Sequence, residues 1–162
     1  MKRILFLLLI SVIIGASCGK KPSNDFPVEP QIYYNGLTPA TIDASDTNAA
    51  LQIKFSFNDG DGDLGYDQTQ MVHNIYLKDS RDTSAADTTF GYPFPYISDN
   101  MRPKNGSLQG NVVITLQRPY FLISDSLHFA LGGDTMFYKI YVQDSAGHKS
   151  NVITTDKIYI KL

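Results

Sequence analysis

The chain has 162 residues, a net charge of −2, ten Tyr, nine Phe, no Trp and a single Cys. With no basic stripe to meet phosphates, the composition argues against nucleic acid as a partner. One cysteine leaves no disulfide framework, so a core must supply the stability, and the aromatic, Val, Ile and Thr content favours strands for building it.

Met1, Lys2 and Arg3 are a basic start, residues 4–14 are apolar apart from Ser11, and Gly15, Ala16 and Ser17 are small. Basic end, apolar core and small-residue cut site make the layout of a secretory signal. The apolar run is too short for a spanning helix, which needs roughly 20 residues. Cys18 follows the small residues directly, and this resembles a bacterial lipoprotein signal. The resemblance implies cleavage before Cys18 and a covalent lipid on it. Gly15 departs from that pattern, because a leucine or similar residue is more usual there. A non-lipidated signal with an incidental cysteine is the other reading. Each buried methylene contributes roughly 0.8 kcal/mol, so two or more acyl chains hold a protein on a membrane stably. Gly19, rather than Asp, implies by the same resemblance the outer membrane of a Gram-negative cell, with the face left open.

Residues 19–30 are polar and hold Pro22, Pro27 and Pro30. Prolines remove backbone donors and favour extended conformers, so this stretch is expected to be a tether. The expected organisation is a signal peptide over 1–17, lipidated Cys18 and tether over 18–30, and one folded domain over 31–162.

The domain reads as strands in chain order. Leu51, Ile53, Phe55 and Phe57 alternate with polar residues, and the same period of two holds at Ile75 and Leu77. It returns at Val112, Ile114 and Leu116, at Tyr138, Ile140 and Val142, and at Ile158, Ile160 and Leu162. Residues 79–89 and 98–107 read as polar loops. No segment keeps helical spacing, and residues 120–131 are the most ambiguous. Short strands without helices predict an all-β sandwich or barrel. Two details favour a sandwich of the immunoglobulin-like or fibronectin III-like kind. Asp134 and Tyr138 have a D-x-x-x-Y spacing that resembles a tyrosine corner. The run from Asp144 through Gly147 and His148 to Asn151 resembles the hairpin before the final strand of bacterial immunoglobulin-like domains, with Gly147 free to take positive φ.

Between the strand at 51–57 and Tyr66 lies an acidic loop with Asp59, Asp61 and Asp63, followed by Asp67. Calcium takes six to eight hard oxygens, and alternating carboxylates in a tight loop supply some of them. Gly60, Gly62 and Gly65 let the backbone curl. The loop is not an EF-hand, because Leu64 sits at the glycine position and Gln70 at the glutamate position. A structural calcium ion on Asp59, Asp61, Asp63 and Asp67 is one expectation, with Asp144 as an extra ligand from the final hairpin. A solvated acidic turn is the alternative.

The signal ending at Cys18, the FxFNDGDGDLG loop and the DSAGHKSN hairpin together resemble small Bacteroidota outer-membrane lipoproteins with an immunoglobulin-like domain. This implies location and fold and says nothing of activity. His73, His128 and His148 lack metal-type spacing, and no G-x-S-x-G, P-loop or HExxH is present, so no enzyme is expected. Tyr92, Phe94 and Tyr96, stiffened by Pro93 and Pro95, are the candidate ligand-contact aromatics, with burial at one end of the domain as the plainer reading. The expected function is a non-catalytic binding or accessory module of the cell envelope, with an unknown protein or glycan partner. The alternatives are a glycan-binding component of an outer-membrane uptake system and a purely structural envelope protein.

Overall fold

A computed structural model describes residues 26–65, 74–82, 89–104, 106–117 and 133–161. The described chain is all-β. Its ten strands are β1 (Gln31–Thr38), β2 (Thr41–Asp43), β3 (Ala50–Asp59), β4 (Ile75–Asp79), β5 (Phe90–Tyr92), β6 (Leu108–Gln117), β7 (Gly133–Met136), β8 (Tyr138–Val142), β9 (Ile153–Thr154) and β10 (Ile158–Lys161). One 3-10 turn, Asp99–Met101, lies between β5 and β6.

One layer is the antiparallel sheet β1-β3-β6. The other is built from β2-β10-β7 and β5-β4-β8-β9. These two are continuous, because Met136 faces Ile158 while Lys139 faces Thr154. β7–β8 and β9–β10 are thus one long hairpin with a single extra residue on its second arm. β2 joins the far edge by pairing parallel to β10.

The period-two pattern explains both layers. In β3, Leu51, Ile53, Phe55 and Phe57 are buried, and Gln52 and Lys54 face out. In β8, Tyr138, Ile140 and Val142 are buried around exposed Lys139. These faces meet in one core with Ile32, Ile75, Leu77, Leu116, Ile158 and Ile160. Burying side chains of this size contributes roughly 1.5–3 kcal/mol each. Tyr138 lies buried at the start of β8, where a corner tyrosine would stand, and the Asp134 carboxylate accepts from Arg81 at 2.6 Å. Arg81 also binds Asp79 at 2.6 Å and so ties the end of β4 to β7.

Two expectations change. Residues 26–30 are not all free tether: the Gly60 N–H donates to the Pro27 carbonyl at 2.8 Å, and Pro30 is buried. Phe90 to Tyr92, which carried no strand pattern, form β5 on β4. The ambiguous segment 120–131 lies outside the described residues.

Candidate metal centre

The site begins as a matter of register. The alternation that sends Leu51, Ile53, Phe55 and Phe57 inward sends Asp59 inward too, and it is 0% exposed. A carboxylate thus ends the apolar face of β3. The chain then turns sharply. Gly62 has φ +71°, and a side chain there would collide with the Gly106 carbonyl. Arg102 braces the turn by donating to the carbonyls of Gly62, Leu64 and Gly65. Its guanidinium also lies 3.7 Å from the exposed Asp99 carboxylate.

Carboxylate oxygens of Asp59, Asp61 and Asp63 all lie within 4.8 Å of one another. The Oδ2 of Asp59 accepts the Leu64 N–H at 3.0 Å, while its Oδ1 is buried with no partner. The Oδ2 of Asp63 accepts the Ser145 hydroxyl at 2.6 Å and the Ala146 N–H at 3.0 Å, and its Oδ1 is likewise buried without a partner. Burial pushes the Asp59 carboxyl up to about 7, helped by its contact with Asp61 and the charges of Asp61 and Asp63, and opposed by the Leu64 N–H. The Asp59 carboxyl thus gives up its proton only near neutral pH, and the three acids form a group able to take a metal ion. The donor set is all hard oxygen, which suits calcium, magnesium or manganese.

The final hairpin does lie at this end, as the Ser145–Asp63 contact shows. The group of close carboxylates is Asp59, Asp61 and Asp63, and Asp144 is held by its own hairpin. Its buried carboxylate accepts the His148 N–H at 2.7 Å and meets His148 Nδ1 at 2.9 Å. Gly147 closes this turn at φ +94°, as expected. The hydrogen bond and charge of Asp144 raise the His148 pKa above its ordinary value, with smaller contributions from Asp61 and Glu29. Asp67, His73, His128 and Cys18 lie outside the described residues. Ser145, Arg102 and Glu29 carried no sequence signal, because their roles arise from the fold.

No family model, curated protein or solved structure matches this chain.

The aromatic trio does not form one contact patch. Phe94 is buried and packs edge-on against Phe57, with centroids 5.0 Å apart, which removes it from the candidate contact residues. Tyr92 is half-buried and donates its hydroxyl to the Thr115 carbonyl. Tyr96 alone is well exposed.

Proposed function

We propose that this chain is an envelope lipoprotein, held by a lipid on Cys18, whose sandwich is a non-catalytic binding or accessory module with one end ordered by calcium. The observation that carries the calcium reading is the buried, unpartnered Oδ1 of Asp59, with Asp61 and Asp63 beside it. An ionised carboxylate in such a place is costly unless paired or bound to a metal. Asp59, Asp61 and Asp63 would hold the ion, and water and backbone carbonyls would complete its shell. The ion would cancel the mutual repulsion of the three acids and fix the loop on which Pro27 and Ser145 rest. An immunoglobulin-like class is supported by the parallel β2–β10 pairing beside the antiparallel β7–β10 pairing. The membrane anchor rests on the resemblance of residues 1–18 to lipoprotein signals.

The test is thermal unfolding of the full chain in detergent, first with chelator and then with 10 mM calcium. A folded-state ligand stabilises by RT ln(1 + [L]/Kd). For extracellular-type affinities of about 10⁻⁴ to 10⁻³ M, that is about 1.4–2.7 kcal/mol, or a rise of roughly 5–10 °C. The double variant Asp61→Asn/Asp63→Asn should lose the rise. An unmoved midpoint in the wild type would leave the loop a solvated turn.

A further inference from the structure

The sandwich exposes strand edges, and they differ sharply in protection. Unpaired edges invite pairing with another chain, and proteins blunt them by shortness, charge, proline or bulges. β2, β5, β7 and β9 are only two to four residues long. β1 carries an irregularity between Tyr34 and Gly36, and the Asn151 side chain bonds both the N–H and the C=O of Ile32. β6 has no such guard. Its ten residues, Leu108–Gln117, pair with β3 in unbroken register and include neither a charge nor a proline. Among the described residues its other edge meets only the Tyr92 hydroxyl, at the Thr115 carbonyl.

We propose that β6 is a homodimerisation edge, pairing antiparallel with β6 of a second copy about a dyad at Val113. The strand is self-complementary about that residue. In this register Val113 faces its own counterpart, Asn111 faces Thr115, and Gln109 faces Gln117 on the outer side. On the core side Val112 faces Ile114 and small Gly110 faces Leu116. Apolar meets apolar, amide meets polar, and no like charges oppose. Val113 is the residue at the centre and is 55% exposed, although its neighbours in the outer row are polar. Single exposed apolar residues are common on surfaces, and what distinguishes Val113 is its place at the dyad, where a β-branched residue makes a good cross-strand pair with itself. A copy of the chain fits better than a foreign peptide because the symmetry is in the strand itself. Pairing replaces the Tyr92 bond at Thr115 with a ladder bond and joins two three-stranded layers into one sheet of six.

The experiment has two arms. In sedimentation of the full chain in density-matched detergent, the wild type should form concentration-dependent dimers. Val113→Lys, which opposes two like charges at the dyad, should shift it to monomer with unchanged circular dichroism. In the second arm, Val113→Cys should give a disulfide-linked dimer without added cross-linker, since opposed strand residues lie about 4.5–5.5 Å apart at Cα, within disulfide reach. Asn111→Cys, which faces Thr115 in this register, should not. Cys18 is present in both variants, so bonds through it would appear equally. A wild type that stays monomeric at tens of micromolar, or equal cross-linking at 111 and 113, would overturn the proposal.

Discussion

Asp59 couples burial to protonation and, on the proposed reading, to an ion. Its folded carboxyl holds a proton up to about pH 7, whereas an unfolded aspartate releases it near 4. The stability this group contributes is therefore complete below about pH 4 and is lost as pH rises towards and through 7. In chelator, Asp59→Asn should flatten this part of the pH profile, so the variant gains on the wild type between pH 5 and pH 8. Thermal midpoints at those two pH values check it, and a wild type and variant that run parallel would refute the assignment. Calcium should erase the difference by favouring the ionised form. His148 provides a second readout. Its pKa is raised first by the Asp144 hydrogen bond and then by nearby charges that include Asp61. A cation beside Asp61 should lower it, and NMR titration of the His148 ring with and without calcium measures that shift. Identical titration curves would place the ion elsewhere or nowhere.

At the scale of elements, β3 carries both the core and the site. Phe55 is wholly buried in its centre, and Phe55→Ala should cost about 3–5 kcal/mol. Chemical denaturation would show this as a lower midpoint at unchanged slope. Gly62→Ala should also destabilise, by more than about 1 kcal/mol, since φ +71° strains any other residue and the Gly106 carbonyl fills the space. These two elements also show what was legible in the sequence. The alternation from Leu51 to Phe57 announced β3, whereas Asp59, read as a loop residue, proved to be one further inward step of the same strand. Similar alternation announced β4, β6, β8 and β10. The short strands β2, β5, β7 and β9 had too few residues to show a period, and they exist because neighbours offer them an edge. The acidic loop was visible as Asp59, Asp61 and Asp63. Its bracing was not, because Arg102 and Ser145 reach it across 38 and 82 positions of chain. Nor could the sequence show that the Asp144 carboxylate is engaged by His148, four residues on. Phe94 follows the plainer reading of burial, although the sequence could not show that Phe57 is the ring it packs on.

At the scale of the whole molecule, the proposed reading is a tethered module. Residues 26–30 run onto the acidic loop through the Gly60–Pro27 hydrogen bond, so the start of the described chain rests on the candidate site. On the proposed reading, calcium sets how the sandwich is presented relative to its membrane anchor. The anchor itself has a separate test. Cells making the full chain should incorporate labelled palmitate into it, and Cys18→Ser should abolish the label. Label retained in that variant would exclude Cys18 as the acylated residue. The central claim, however, is that the acidic loop is an ion site, and direct binding tests it most closely. Calorimetric titration of calcium into the full chain in detergent at pH 7.5 should show one ion per chain, and Asp59→Asn should abolish that heat while retaining the far-ultraviolet spectrum of the sandwich. No saturable heat in the wild type, or equal heat in Asp59→Asn, would contradict it.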